Sequence, residues 1–273
     1  MQRQLKRYHD LLAGLSAMKG AVVAFSGGVD SVFLLHAARQ ALCERVLAVT
    51  VVTPYTPKAD SDDARSLAEF MQVRHMILEQ PIPNAIATNP ANRCYLCKQA
   101  LFGALAGIAQ EEGLEAVLDG SNKDDLDDYR PGMRAVLELG IRSPLLDAGL
   151  SKQDIRDLSR ELGLPTWNKP AGACLLTRIP HDTPIEMDEL LRIDRGEQFL
   201  KELGFPAVRL RSHGPLARIE LPLESIAACL DPLLREKIDT QLKALGYRYV
   251  TVDLAGYRMG SLNLVSPESR PGQ

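Results

Sequence analysis

The stretch Ala21-Val22-Val23-Ala24-Phe25-Ser26-Gly27-Gly28-Val29-Asp30-Ser31-Val32-Phe33-Leu34-Leu35 decides the fold. Its first five residues are a short apolar run of the kind buried in a parallel sheet. From Val32 to Leu42 the chain is apolar and of helical length. Between the two, the glycine pair lets the backbone turn sharply and come close to a ligand. Amides freed at the start of the helix, together with its dipole, favour an anion there. Ser26 and Ser31 add hydroxyl donors. Asp30 would repel a phosphate unless a divalent cation stood between them, which implies Mg²⁺. A plain glycine turn is the simpler alternative, and Gly27-Gly28 alone would not rise above it. The string is not the Gly-x-x-x-x-Gly-Lys-Ser/Thr phosphate loop.

Working outward, helices and strands alternate. Residues 1–17 read as a helix, 45–52 as a valine-rich strand, 58–70 as a helix and 74–78 as a strand. A Pro/Asn-rich loop leads to a helix over 95–110, a strand over 115–119 and a short helix over 133–139. Ser151, with Asp154 three residues on, predicts a capped helix start, and the helix stops at Gly163. Such alternation implies an α/β fold with a parallel sheet. Its ligands sit at the carboxyl ends of the strands, where Ser26, Thr53 and Gly120 fall. After about Pro180 the pattern changes to a helix over 188–203, strands over 207–211 and 217–221 around a turn at His213-Gly214-Pro215, a helix over 223–245 interrupted near Asp231-Pro232, and a strand over 249–253. The expectation is an α/β domain over 1–180 and a small α+β domain over 181–273, with a loose tail over 266–273.

The 273 residues carry a formal net charge of -3. Nucleic-acid binders usually show a basic excess, so a small-molecule substrate is expected and nucleic acid is not. No apolar run approaches the roughly 20 residues that span a bilayer. The polar, basic stretch 1–10 leads to the expectation of a cytoplasmic protein without a secretory signal. A homo-oligomer is expected.

Of the five cysteines, three stand out. Arg93-Cys94-Tyr95-Leu96-Cys97-Lys98 places two thiols three apart in a loop running into a helix, and Cys174 lies in the small-residue loop around Lys169-Pro170-Ala171-Gly172-Ala173. Three thiolates can hold three irons of a 4Fe-4S cluster and leave the fourth iron open. They can equally form three-quarters of a zinc site, and an incidental grouping stays open too. Arg93 and Lys98 favour thiolates. Cys43 and Cys229 read as core packing on helices.

The loop at Ser26 resembles the PP-loop of the ATP pyrophosphatases, which implies a PP-loop fold and ATP as the adenylyl donor, with pyrophosphate released. Further segments extend the likeness: NPANRCYLCK from Asn89, DGSNKDDLDDYRPG from Asp119, IRSPLLDAGLSK from Ile141, ACLLTRIP from Ala173 and RLRSHGPLARIE from Arg209. In order and spacing they resemble the LarE family of ATP-dependent sulfur transferases over nearly the whole chain. The resemblance implies adenylation of a carboxylate of pyridinium-3,5-biscarboxylic acid mononucleotide, followed by displacement of AMP by sulfur in nickel-pincer nucleotide biosynthesis. The nucleotide site is then Ser26, Gly27, Gly28, Asp30 and Ser31, with Asp30 and Cys174 as catalytic residues. Two sulfur routes exist in the family: a sacrificed cysteine matching Cys174, left as dehydroalanine, or a 4Fe-4S cluster on three cysteines. Cys94, Cys97 and Cys174 match the cluster form.

Arg209 and Arg211 alternate with Val208 and Leu210, so a strand puts both on one face. Two guanidinium groups can grip a phosphate, and the resemblance implies that they hold the phosphate of the mononucleotide. The alternative is a solvated strand face with Arg218 and Glu220 pairing across the hairpin. The run Asp124-Asp125-Leu126-Asp127-Asp128 reads either as a solvated face or as a helper in placing Mg²⁺. Arg130, Arg142 and Arg178 are further phosphate or AMP candidates, and Trp167 reads as packing. A tRNA thiolation enzyme of the PP-loop class is the rival reading.

Overall fold

The computed structural model describes residues 2–126, 131–170 and 172–257. Asp127, Asp128 and Arg130, Ala171 and the tail 266–273 therefore lie outside the described residues. The contacts divide the chain into two compact units, 1–87 with 91–172, and 88–90 with 173–273.

In the first unit the order is α1 (Gln2–Ser16), β1 (Ala21–Ala24), α2 (Val29–Leu42), β2 (Val46–Val52), α3 (Lys58–Phe70), β3 (Arg74–Glu79), α4 (Arg93–Glu111), β4 (Ala116–Leu118), α5 (Pro131–Glu138), α6 (Pro144–Asp147) and α7 (Lys152–Glu161). The strands form a four-stranded parallel sheet in the order β3-β2-β1-β4. Side chains alternate across it. Ala21, Val23 and Ala48 point to a core shared with α1, α2, α3 and α7. Val22, Leu47 and Val49 point to a second core with Phe102, Leu105 and Ile108 of α4 and Val136 of α5. Burial on both faces is why these strands read as unbroken apolar runs. Cys94, expected in the loop that runs into the helix over 95–110, already lies in the first turn of α4, and Cys97 lies in the helix as expected.

The second unit contains α8 (Met187–Glu202), β5 (Arg209–His213), β6 (Leu216–Glu220), α9 (Leu223–Cys229), α10 (Pro232–Ala244) and β7 (Tyr249–Val252). β5 and β6 form an antiparallel hairpin through Gly214 (φ +61°), and β7 joins β6 in parallel. Asp231 ends the interruption before Pro232 by accepting from the amides of Leu233 and Leu234. Val208, Leu210, Ala217 and Ile219 pack with Leu200 of α8 and Ile238 and Leu242 of α10. Cys229 is buried as expected, and burial pushes its thiol up. Cys43 is not core: it is exposed, because α2 ends at Leu42 and Cys43 turns the chain at φ 55°. Trp167 is 38% exposed, with the Arg160 guanidinium over its ring.

Candidate active site

β1 lies between β2 and β4, so the chain leaves it toward one neighbour and later returns on the other side. The carboxyl ends of β1 and β4 therefore border a crevice where such sheets bind ligands. The glycine loop fills the β1 side. Gly27 sits at φ +68°, and a Cβ there would come within 3.2 Å of the Ala64 backbone in α3. Both the left-handed conformation and the close approach thus demand glycine. Gly28 precedes α2 without a side-chain cap, which leaves first-turn amides available to an anion. Ser31 Oγ donates to the Gly28 carbonyl at 3.1 Å and lies 3.2 Å from Ser26 Oγ, so the two hydroxyls meet at the loop.

The β4 side brings residues that the sequence reading did not single out. Asp30 Oδ2 accepts from Lys152 Nζ at 2.5 Å, and its Oδ1 accepts from Asn122 Nδ2 at 3.4 Å. Gly120 allows this junction, since a Cβ there would stand 3.2 Å from the Asp30 Cβ. Asp119, buried, accepts from the Ser121 and Ser143 hydroxyls at 2.5 and 2.6 Å. Of the acidic run, Asp125 is buried and accepts from the Asn122 amide, while Asp124 accepts from the Lys152 amide. These two carboxylates hold the loop that presents Asn122 and Lys152, Asp125 from a buried position and Asp124 from an exposed one. Lys169 approaches from the opposite flank, donating to the Gly27 carbonyl at 3.2 Å and to Asp63 at 2.8 Å. Arg156 steadies that segment through the carbonyls of Trp167 and Lys169. Arg142 pairs with Glu115 at 3.1 Å.

Two ammonium groups therefore meet the glycine loop. Asp30 already has a counter-ion, Lys152, where the sequence alone implied only a divalent cation. The loop still offers hard oxygen donors in Asp30, Ser26 and Ser31, which suit Mg²⁺ bound chiefly through phosphate oxygens. Among the described residues no group of three or more His, Cys, Asp or Glu is arranged to hold a metal ion by itself.

Cys94 and Cys97 stand three apart on α4, on one face of the helix. Cys94 is exposed, and Cys97 Sγ lies 3.1 Å from Tyr55 Oη. Both belong to the first unit and Cys174 to the second. Cys174 is partly exposed at the start of a short 3₁₀ turn, Leu175–Arg178. Arg178, an anion-binding candidate in the sequence, is spent on this turn. Its Nη1 donates to the carbonyls of Ala173 and Cys174 at 3.0 and 3.2 Å, while Nε and Nη2 grip Glu197 at 2.7 and 2.8 Å. Burial opposes ionisation of Glu197, but the Arg178 hydrogen bonds and charge outweigh it and hold the carboxyl below its ordinary range. Asn89, five residues before Cys94, is fully buried and donates to the carbonyls of Ile179 and Pro180 at 3.1 and 2.9 Å. Asn89 thus belongs with the segment following Cys174 in the second unit.

Arg209 and Arg211 do share one face of β5, but that face is buried: they are 6% and 4% exposed. Arg211 donates to Glu220 Oε2 at 2.8 Å and to the Thr177 carbonyl at 2.6 Å. Arg218 reaches Glu220 Oε1 at 3.1 Å, and the Arg209 guanidinium stands 5.0 Å from the centre of the Tyr257 ring. The face is buried rather than solvated, while Arg218 and Glu220 do pair, as the alternative reading expected. Around this face Arg211 and Arg218 share Glu220, and Arg178 holds Glu197.

A parallel sheet with Ser-Gly-Gly-Val-Asp-Ser at the carboxyl end of its second-to-edge strand defines a PP-loop enzyme domain. Consistent with this, the NAD synthase family model matches residues 6–111. The chain belongs to the LarE family: it is 39% identical over 256 residues, covering 93% of this chain and 92% of the relative, to pyridinium-3,5-bisthiocarboxylic acid mononucleotide synthase of Lactiplantibacillus plantarum. It is also 41% identical over 248 residues to an uncharacterised protein of Synechocystis, covering 90% of this chain and 92% of that one. A probable tRNA sulfurtransferase of Methanothermobacter thermautotrophicus is more distant, 24% identical over 61% of this chain and 48% of its own length. Among solved structures, an NH3-dependent NAD synthetase from Campylobacter jejuni aligns with TM-score 0.48 at 18% identity, covering 89% of this chain and 94% of that chain.

Proposed function

We propose that the chain is an ATP-dependent sulfur transferase that converts a carboxylate of pyridinium-3,5-biscarboxylic acid mononucleotide into a thiocarboxylate. The observation that carries this reading is the meeting of Lys152, Lys169 and Asn122 at the glycine loop, in a chain so similar over its length to a synthase of that name. The loop amides and the hydroxyls of Ser26 and Ser31 take the polyphosphate of ATP. Lys152 turns from Asp30 to a phosphate oxygen. Asp30 would hold Mg²⁺ there, which would supply neutralising charge to the phosphates. A substrate carboxylate oxygen attacks the α-phosphorus, and pyrophosphate leaves with the electron pair of the broken bond. Sulfur then attacks the activated carboxyl carbon, and AMP leaves with the transferred oxygen.

In this proposal Arg209 and Arg211, in a small C-terminal domain over 181–273, hold the mononucleotide phosphate. Cys94, Cys97 and Cys174 hold a 4Fe-4S cluster; their soft thiolates suit iron, and Arg178 and Asn89 fix the backbone around the third. Such a cluster would supply the sulfur to be transferred. The protein is cytoplasmic and homo-oligomeric; among the described residues no helix is long and apolar enough to cross a membrane.

The test is anaerobic purification with iron and sulfide analysis, followed by pyrophosphate assay with ATP and the mononucleotide. About four irons per chain are expected, with pyrophosphate release that needs the mononucleotide. Iron-free protein that acts once and keeps dehydroalanine at residue 174 would overturn the cluster route while leaving the adenylation intact. The distant match to a tRNA sulfurtransferase keeps tRNA thiolation as a second reading. A gel shift with bulk tRNA at moderate salt separates the two.

A further inference from the structure

β2 has the sequence Val-Leu-Ala-Val-Thr-Val-Val, and Thr50 is its one polar side chain. Thr50 is 3% exposed, so its hydroxyl must be satisfied inside the fold. The hydroxyl oxygen lies 2.6 Å from the Phe25 carbonyl and 2.8 Å from His75 Nε2. A threonine hydroxyl has one proton. With that proton given to Phe25, the ring nitrogen facing Thr50 must be the donor, which fixes His75 as the Nε2–H form or its cation. The contact therefore survives either protonation state.

Phe25 is the residue before the glycine loop. It is held at three points. Its amide donates to the Val49 carbonyl at 2.9 Å, its carbonyl accepts from Thr50, and its buried ring meets the His75 ring edge-on at 5.9 Å between centres. The paired part of β1 ends at Ala24, opposite Val49. At Phe25 the chain departs from its neighbour, and a side-chain hydroxyl takes the place of a ladder amide there. The peptide plane between Phe25 and Ser26 sets the direction in which the loop begins.

We infer that Thr50, braced by His75, is a positioning residue of the nucleotide loop: it fixes the Phe25 carbonyl so that the Ser26–Ser31 amides and hydroxyls are preorganised for the polyphosphate. This rests on the proposed reading that the loop binds ATP. Neither side chain touches the nucleotide in this scheme; both act through Phe25.

The experiment measures ATP and mononucleotide KM values and kcat by pyrophosphate release for the wild type and for Thr50→Val, Thr50→Ser and His75→Phe. Thr50→Val keeps the shape and loses the hydroxyl. We expect its ATP KM to rise about tenfold, with the mononucleotide KM within about twofold of wild type. Thr50→Ser restores the hydroxyl and the ATP KM. His75→Phe keeps a ring against Phe25 and loses the donor, for about a threefold rise, and it tests the idea even if Thr50→Val does not fold. A folded Thr50→Val enzyme with wild-type ATP KM, a Thr50→Ser enzyme as impaired as Thr50→Val, or an unaltered His75→Phe enzyme would overturn the inference. Failure of the wild type to use ATP would instead refute the reading of the loop.

Discussion

Asp30 and Lys152 are paired across 122 positions of sequence at 2.5 Å, and in the proposed scheme the pair sets how the loop meets ATP. Removing the ammonium leaves Asp30 facing phosphate. Lys152→Met should raise the ATP KM by roughly ten- to a hundredfold, the worth of one charge-assisted hydrogen bond, while mononucleotide KM changes little; steady-state kinetics check both. Arg211 calls for a different variant. Its guanidinium and Glu220 are 5% and 0% exposed, so Arg211→Ala leaves a buried carboxylate with Arg218 alone and should cost about 2–3 kcal/mol of stability. Urea unfolding would measure that loss, and Arg211→Lys, which keeps the charge, is the better probe of mononucleotide KM. The glycine loop was legible in the sequence because its six residues are contiguous. Lys152, Lys169 and Asn122 were not, because tertiary folding alone brings them to it. The face shared by Arg209 and Arg211 followed from strand periodicity, but its burial did not, since alternation says nothing about what covers a face.

The elements followed their local signals closely. Ser151 caps α7 as predicted, accepting from the Asp154 amide while Asp154 accepts from the Ser151 amide. Ser151→Ala should cost about 1 kcal/mol, a Tm fall of about 2–4 °C by calorimetry. It also loosens the helix start that carries Lys152. The misplaced features lie at element ends. Cys43 was read as part of a helix that in fact stops one residue earlier, and Cys94 as part of a loop that is already helix. Both errors arise because apolar periodicity fades at a helix terminus while capping decides it. The link between the 3₁₀ turn and α8 has a pH signature. Glu197 is held below its ordinary range despite burial, by Arg178. A carboxyl so held contributes stability above the unfolded-chain value of about 4.3, and that contribution is lost as pH falls through the lower folded value. Stability measured by urea unfolding should drop below about pH 4. Glu197→Gln should flatten that acid limb and lower stability at neutral pH.

At the scale of the whole molecule, an α/β unit carries the nucleotide loop, and a smaller unit carries the buried arginines. Parallel-sheet architecture was readable from alternating elements. What the sequence could not supply was the company each reactive group keeps: Asp30 with a lysine, Cys97 with Tyr55, Arg178 with the turn after Cys174. The central claim is that ATP activates a carboxylate so that sulfur can replace its oxygen. It is tested most directly by mass spectrometry of the mononucleotide after anaerobic incubation with enzyme, ATP and Mg²⁺. The account predicts a product heavier by the exchange of oxygen for sulfur, formed together with AMP and pyrophosphate and absent without ATP. An unchanged mononucleotide despite ATP cleavage, or an amide in place of the thiocarboxylate, would contradict it.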